Sequence, residues 1–176
     1  MDKNKKIKFL CFDFLLLVIL IALDQYTKYL AVIKLKNQPA YNIINGVLEF
    51  NYLENRGAAF GMLQNQKIFF VFVATIFLCV IIYVLIKVPT DKKFNSLHFF
   101  LTLIAAGAIG NMIDRLRLDY VVDFIYFVLI NFPIFNVADI YVTVSTVLLI
   151  IQILFVYDDN DFHFLSFKKK KFRELK

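Results

Sequence analysis

The stretch Val121–Ile140, "VVDFIYFVLINFPIFNVADI", holds two acidic residues in otherwise uncharged and mostly apolar surroundings. The acids are Asp123 and Asp139, and each lies at the edge of an apolar run. Burying an isolated carboxylate is unfavourable, so acids in such a setting are usually paired or hydrogen-bonded. Pro133 lies between them and interrupts any helix, which allows the chain to turn back. The stretch therefore permits the two carboxylates to meet.

The composition indicates a membrane protein. Hydrophobic residues make up 60% of the 176 residues, and the mean hydropathy is +0.68. Typical soluble domains contain about half apolar residues. The length suits one domain, and we expect a single integral membrane domain over residues 1–176.

Four apolar stretches are candidates for membrane spans, because a helix needs about 20 apolar residues to cross a bilayer. The stretches cover roughly residues 7–33, 68–86, 97–113 and 137–156. The first is interrupted by Asp13 and Asp24 and resembles a secretory signal peptide. No small-residue cleavage site follows it, so we interpret it as a retained span.

The basic residues predict the orientation of these spans. They concentrate in the N-terminal segment, in the loop around residues 87–93 and in the tail over residues 157–176. By the positive-inside rule these segments are cytoplasmic, so both termini lie inside. The basic tail is best explained by topology and by contact with anionic membrane lipids rather than nucleic acid.

Residues 41–55 predict a small β element on the outward side. Asn45-Gly46 is a hairpin turn signal. After it Leu48, Phe50 and Tyr52 alternate with polar residues, as in a strand with one apolar face. We expect this element to lie against the outer membrane surface.

Polar residues of the predicted spans fall in one layer near the outward end. Asp24 and Lys28 share a helix face, four residues apart. The other members of this layer are Asn111, Asp114, Arg115, Asp123, Asn136 and Asp139. Asp114 and Asp123 would point in opposite directions on one continuous helix, so they meet only if the chain breaks between them. Ionisable residues at membrane depth are functional candidates, although they also serve to hold helices together.

Two adjacent carboxylates predict general acid–base hydrolysis. Like charges in close contact cannot both ionise, so such a pair shares one proton. One carboxylate then activates water while the other protonates the substrate. No metal or organic cofactor is required, His98 and His163 are isolated, and no zinc motif occurs. Cys11 and Cys79 are expected to be buried packing thiols.

Four stretches resemble signal peptidase II, the bacterial lipoprotein signal peptidase. They are "DQYTKYL" at Asp24–Leu30, "ENRGAAFGML" at Glu54–Leu63, "GAIGNMIDRLRLDYVVDF" at Gly107–Phe124, and "FNVADIYVTVS" at Phe135–Ser145. The resemblance implies a four-helix aspartic endopeptidase of the bacterial cytoplasmic membrane, with a β cradle and an outward-facing site. We expect it to be a monomer. It implies that the substrates are diacylglyceryl-modified prolipoproteins, cut just before the lipidated cysteine, and that globomycin is an inhibitor.

The resemblance also implies roles for particular residues. Asp123 and Asp139 match the catalytic pair of the family. Residues that match its substrate-binding or supporting positions are Asn55, Asn111, Arg115, Asn136, Asp24, Lys28 and Asp114. Gly57 belongs to a loop of small residues that can approach a peptide backbone closely. Asp119 departs from the Gly that many members carry.

Two readings from other functional classes remain open. The same acids could titrate in a small proton-coupled transporter, or the polar cluster could only pack the bundle of a scaffold. Against a transporter, the acids lie in one leaflet and trace no path across the membrane. Against a scaffold, packing requires no paired acids beside an "NVAD" turn.

Overall fold

Four long helices and one small sheet form the part of the chain that the computed structural model describes, residues 3–57 and 62–165. The helices are α1 (Lys3–Leu35), α2 (Lys67–Lys87), α3 (Asn95–Leu118) and α4 (Val137–Phe155). Each coincides with one of the four predicted apolar stretches. The largest difference is at the end of α3, which continues five residues past the predicted limit until Asp119 adopts a left-handed conformation, with φ 68°.

Three helices of the described residues are long and apolar enough to cross a membrane. They cover Lys67–Lys87, Lys92–Leu118 and Val137–Phe155, with mean hydropathies of 3.1, 1.6 and 2.1. α1 is not among them, although it has 33 residues. The difference arises from its charged residues, several of which are buried against the other helices, namely Lys6, Asp13, Asp24 and Lys28.

α3 lies at the centre of the bundle and contacts the other three helices. Its glycines allow close packing: a Cβ at Gly107 would lie 2.4 Å from the carbonyl oxygen of Ala138 on α4. α1 and α3 run parallel, because Asp13 contacts His98 near the start of α3 whereas Lys28 contacts Asp114 near its end.

The sheet contains three antiparallel strands in the order β1-β2-β3, where β1 is Tyr41–Ile44, β2 is Leu48–Asn55 and β3 is Val121–Phe127. The predicted hairpin over residues 41–55 is confirmed, and Gly46 takes the positive φ of 70° that its turn requires. β3 was not expected from the sequence. Apolar side chains of the sheet pack with Ala31 of α1 in a small core.

The chain reverses between β3 and α4, as Pro133 suggested. A short 3₁₀ turn over Val128–Ile130 is followed by Asn131 in a left-handed conformation. Phe135 then pairs with Ile125, with N–O distances of 2.8 and 3.0 Å in the two directions. The reversal places the start of α4 beside β3.

Cys11 and Cys79 are free and exposed, not buried as expected, because they lie on outward apolar faces of α1 and α2. The residue pattern cannot tell an apolar face that meets lipid from one that meets protein. Of the basic tail, Asp159–Leu165 forms a 3₁₀ segment, while residues 166–176 lie outside the described residues. The same holds for residues 58–61 of the small-residue loop.

Candidate active site

Asp123 and Asp139 are joined through a single residue, Asn136. The side-chain amide of Asn136 donates to Oδ1 of Asp123 at 2.6 Å. Its backbone N–H donates to Oδ2 of Asp139 at 3.0 Å. Because Asn136 is completely buried, it holds both carboxylates at fixed positions on either side of itself.

Asp123 lies on β3 and is 1% exposed. Its second carboxylate oxygen accepts a hydrogen bond from the side-chain amide of Asn55 on β2, at 2.9 Å. Burial raises the pKa of Asp123 to about 7, and the negative charge of Asp139 adds to this effect. The hydrogen bonds from Asn55 and Asn136 act in the opposite direction. Asp123 thus retains a proton close to neutral pH although two amides bind its carboxyl group.

Asp139 is fixed by the start of α4. Asn136 is the N-cap: its side chain accepts from the backbone N–H of Asp139 at 3.1 Å, and Asp139 reciprocates in a capping box. The other oxygen of Asp139 accepts from the amide of Asn111 on α3, at 2.8 Å. The orientation of this carboxylate therefore depends on both α3 and the helix cap.

A buried charge cluster lies behind the pair. The ammonium group of Lys28 is 3.0 Å from Asp24 and 3.0 Å from Asp114. It also donates to Oδ1 of Asn111 at 2.8 Å. Because the oxygen of Asn111 faces an ammonium group, its nitrogen faces Asp139. Lys28 thereby determines that Asn111 turns its NH2 group, a hydrogen-bond donor, toward Asp139.

The interruption of the helix that was predicted between Asp114 and Asp123 occurs at the end of α3. Oδ2 of Asp114 accepts from the backbone N–H of Val122, 3.2 Å away, which anchors β3 to the helix that precedes it. Asp24 similarly accepts from the backbone N–H of Ala138 at the start of α4, at 3.0 Å. Gly110 is required there, since a Cβ would lie 2.4 Å from the carboxylate of Asp24. The charge cluster thus positions both elements that carry the aspartates.

The pair faces a cavity of about 880 Å³ between the sheet and α4. Of the residues singled out from the sequence, the cavity is lined by Asn55, Gly57, Asn111, Arg115, Asp123 and Asp139. The other four lie behind its wall and are buried, namely Asp24, Lys28, Asp114 and Asn136. The structure thus brings all ten together around one region, in two layers.

Arg115 closes one side of this cavity. Its guanidinium group donates to the carbonyl oxygen of Gly57 at 3.2 Å and lies 4.7 Å from the ring centre of Phe70. These contacts tie the end of β2 to α3 and the start of α2. They also leave a fixed positive charge at the cavity wall.

Two features of the site were not identified from the sequence. Gln25 bridges the charge cluster, donating to Asp24 at 3.2 Å and to Asp114 at 2.9 Å. Its only sequence signal is its place next to Asp24. The second feature is the apolar wall formed by Phe132 and Ile134 of the reversal after β3 and by Ile140 of α4. Apolar residues carry no sequence signal for a cavity because they are equally typical of a core.

The chemistry available here is that of an acid–base pair in a confined cavity. One carboxyl group keeps a proton near neutral pH, and its neighbour is bound by two hydrogen-bond donors. Within residues 3–57 and 62–165, no group of three or more His, Cys, Asp or Glu residues is placed to hold a metal ion.

Comparison with known proteins agrees with the resemblance noted from the sequence. A family model described as signal peptidase (SPase) II matches residues 16–155. A lipoprotein signal peptidase of Caldanaerobacter subterraneus subsp. tengcongensis is 48% identical over 128 residues, which are 72% of this chain and 85% of that protein. One from Streptococcus thermophilus is 44% identical over 144 residues, or 82% and 92% of the two chains.

Solved structures agree in fold. A bacterial membrane enzyme determined by the in meso method at 2.3 Å resolution superimposes with a TM-score of 0.71 and 31% identity, over 90% of this chain and 94% of that one. A second bacterial membrane enzyme structure, at 1.9 Å resolution, superimposes with a TM-score of 0.71 and 34% identity, over 82% of this chain and 94% of that one. The transporter alternative gains no support from these relatives.

Proposed function

The chain belongs to the signal peptidase II family, and on that premise we propose that it is an aspartic endopeptidase of prolipoproteins. It removes the signal peptide from diacylglyceryl-modified precursors by cutting just before the lipidated cysteine. Asp123 and Asp139 are the catalytic residues. The observation that supports this proposal most is the bridge by Asn136, which binds both carboxylates at the wall of one cavity.

The two aspartates have different roles at the start of the reaction. Asp123 is the acid, because burial raises its pKa to about 7 and keeps it protonated below that pH. Asp139 is the base: its carboxylate lines the cavity and is held in place by hydrogen bonds from Asn111 and from the backbone of Asn136.

The reaction follows from this arrangement. Asp139 takes a proton from a water molecule, whose oxygen attacks the carbonyl carbon of the scissile amide. Asp123 gives its proton to the carbonyl oxygen, so the tetrahedral intermediate is neutral. The proton held by Asp139 then passes to the amide nitrogen, the C–N bond breaks, and Asp123 recovers a proton from the diol.

Other site residues hold the substrate or the pair. The amide of Asn55 and the guanidinium group of Arg115 lie at the cavity wall, where they can bind peptide carbonyls or a lipid ester. Gly57 has no side chain, so a peptide backbone can approach the wall closely there. The apolar wall beside Phe132 and Ile140 suits the lipid of the modified cysteine. Asp24, Lys28 and Asp114 act through Asn111 and the start of α4 and do not touch the substrate.

We also propose the placement in the bacterial cytoplasmic membrane. α1 is the fourth span, and its two acids and Lys28 are paired inside the bundle. Both termini are cytoplasmic, the sheet and the aspartate pair lie at the outward face, and the whole chain is one domain that acts as a monomer. A precursor whose modified cysteine lies near the outer surface then reaches the pair from the bilayer.

Cleavage by the purified protein tests this proposal. Supplied in detergent with a diacylglyceryl-modified precursor, the wild-type protein is expected to release the signal peptide, and mass spectrometry should place the cut before the modified cysteine. Asp123→Asn and Asp139→Asn should abolish cleavage. Asp119→Asn is the matched control, because it makes the same change at an exposed residue of the adjacent turn.

The possible outcomes distinguish an error in the proposed activity from an error in the choice of catalytic residues. If folded Asp123→Asn or Asp139→Asn protein cleaves at the wild-type rate, the pair is not catalytic. If the wild-type protein fails to cleave a modified precursor, the proposed activity is wrong. Cleavage of an unmodified precursor at the same rate would contradict the requirement for lipid.

A further inference from the structure

A second cavity, of about 360 Å³, lies between α1 and α3, away from the aspartate pair. It is lined by Phe9, Phe12 and Phe99 together with Lys8, Asp13, Asn95 and His98. Asp13 precedes Asp24 by 11 residues, so this cleft lies roughly 16 Å further toward the N-terminal end of α1. Nothing in the proposed cleavage mechanism uses these residues.

Asp13 and His98 form a buried pair in which one ring nitrogen of His98 has no hydrogen-bond partner among the described residues. Nδ1 of His98 lies 2.7 Å from the carboxylate of Asp13, and the two residues are 2% and 6% exposed respectively. Because Nδ1 is committed to Asp13, only Nε2 of the ring is left for another partner. Nε2 of His98 is also buried but has no hydrogen-bond partner in the described part of the chain. Buried polar atoms nearly always have a partner, and His98 lines the cleft, so a polar group bound in the cleft is the partner to expect.

The position of the cleft indicates what the ligand is. It lies at the basic end of the molecule, where Lys3, Lys5 and Lys8 are exposed on α1. Beside it, Phe12 and Phe99 are 62% and 45% exposed and face the surroundings of the bundle. A basic rim above exposed aromatic rings matches the headgroup and upper acyl chains of an anionic phospholipid.

We propose that this cleft binds one phospholipid of the adjoining leaflet through an anionic headgroup that carries a hydroxyl, as in phosphatidylglycerol. The phosphate pairs with the ammonium group of Lys8, and the acyl chains lie against Phe12 and Phe99. The hydroxyl satisfies Nε2 of His98, because a hydroxyl both donates and accepts. The negative charge of Asp13 keeps the phosphate itself away from the ring.

Lipid titration of the full-length protein tests this assignment. Delipidated protein in a mild detergent is titrated with phosphatidylglycerol, phosphatidic acid, phosphatidylcholine or free glycerol phosphate, and bound lipid is counted by native mass spectrometry. Phosphatidylglycerol should bind about fivefold more tightly than phosphatidic acid, as expected for one hydrogen bond. Phosphatidylcholine and glycerol phosphate should bind more weakly still.

Three variants locate the contacts. His98→Asn keeps an amide that can donate to Asp13 and lacks Nε2, so it should lose the preference for phosphatidylglycerol over phosphatidic acid. Lys8→Gln should weaken binding of both anionic lipids by about fivefold. Lys3→Gln removes the same charge from the same helix, outside the cleft, and should leave binding of phosphatidylglycerol unchanged.

Each alternative has its own signature. Equal binding of phosphatidylglycerol by wild type, His98→Asn and Lys8→Gln would mean that water fills the cleft, and would overturn the proposal. Equal losses in Lys8→Gln and Lys3→Gln would show general attraction to a charged surface only. Glycerol phosphate binding as tightly as the lipid would exclude a membrane source. The Lys8 and Lys3 comparison decides the matter even if His98→Asn fails to fold, and no arm depends on precursor cleavage.

Discussion

Both carboxylate oxygens of Asp123 accept hydrogen bonds from neutral amides, so no directly bonded cation offsets its burial. Since its pKa is raised to about 7, Asp123 loses its proton as the pH rises through that value. We expect kcat/KM for precursor cleavage to fall with rising pH above about 7, because the proton donor is then lost. A pH–rate profile of the purified protein measures this.

Asn55 provides the control for that profile. Its hydrogen bond lowers the pKa of Asp123, so Asn55→Ala should move the falling limb to higher pH. Asn42→Ala, on the exposed strand β1, should leave the limb in place. If the falling limb stays at the same pH in Asn55→Ala, it does not report the loss of a proton from Asp123.

The same raised pKa affects folding with a definite sign. Between pH 3.8 and about 7 the folded chain keeps a proton on Asp123 that the unfolded chain has lost. The contribution of this residue to the free energy of unfolding therefore decreases as the pH rises through that window. On the proposed mechanism, the raised pKa of Asp123 keeps the proton donor available near neutral pH at the expense of stability.

Asp119 ends α3 with φ 68°, a conformation that glycine adopts without strain. It also forms an exposed ion pair with Lys67 at the start of α2, at 2.6 Å. Asp119→Gly removes the strain and the ion pair together, so we expect almost no change in the Tm. Asp119→Val loses the pair and places a β-branched residue in a left-handed conformation, which should lower the Tm by a few degrees. Thermal unfolding in detergent compares them; a Tm for Asp119→Val equal to wild type would show that the turn relaxes.

At the scale of elements, α1 controls the site through Lys28. Lys28→Met would leave the carboxylates of Asp24 and Asp114 buried without their cation, which should destabilise the protein by about 3–5 kcal/mol. The amide of Asn111 would also lose the partner that directs its nitrogen to Asp139, so cleavage should fall in the protein that still folds. Unfolding by titration with SDS, with activity measured alongside, tests both effects.

The matched control for Lys28 is an ion pair at the surface. Lys36→Met breaks the pair between Lys36 and Glu54, in which both side chains are partly exposed. Exposed pairs contribute little because water and salt screen them. Stability near that of wild type is expected for Lys36→Met. Equal losses in the two variants would mean that the cluster around Lys28 has no special role.

Elements with local signals were predictable, whereas those formed by distant contacts were not. The β1–β2 hairpin has Asn45-Gly46 at its turn, and the reversal before α4 has Pro133. β3 has no such signal: its first four residues are all buried, so the alternation typical of a strand is missing. Its partner strand is also far away in sequence, since Asn55 and Asp123 are separated by 68 residues.

The candidate site was likewise predictable in part. Asp123 and Asp139 are conspicuous because a carboxylate in an apolar stretch needs an explanation. The two-layer arrangement was not predictable, because it depends on which side-chain amide faces which charge. Asn111, which lies between Lys28 and Asp139, is an example. Asp13 and His98, 85 residues apart, were not connected at all, because a single acid and a single histidine have many possible partners.

At the scale of the whole molecule, the decisive property is which charges are paired inside the bundle. Hydropathy alone selects α2, α3 and α4 as spans. In α1, however, Asp13 contacts His98, while Asp24 and Lys28 contact each other and α3. Paired and buried charges do not have to be desolvated by lipid, so a helix can cross a membrane with a lower hydropathy than an isolated span needs.

Thiol labelling tests that placement directly. In a Cys11→Ala, Cys79→Ala background, single cysteines are introduced by Lys3→Cys before the predicted first span, Asn45→Cys in the β1–β2 turn and Asp91→Cys between α2 and α3. If α1 crosses the membrane, a membrane-impermeant maleimide labels the Asn45→Cys protein in intact cells. It then labels the Lys3→Cys and Asp91→Cys proteins only after lysis. Labelling of both Lys3→Cys and Asn45→Cys only after lysis would show that α1 does not cross. In that case the three apolar helices would place the sheet, and the aspartate pair that it supports, on the same side as the basic N-terminus. A precursor cut near the outer surface could not reach the pair from there, so this result would contradict the proposed site of cleavage as well as the topology.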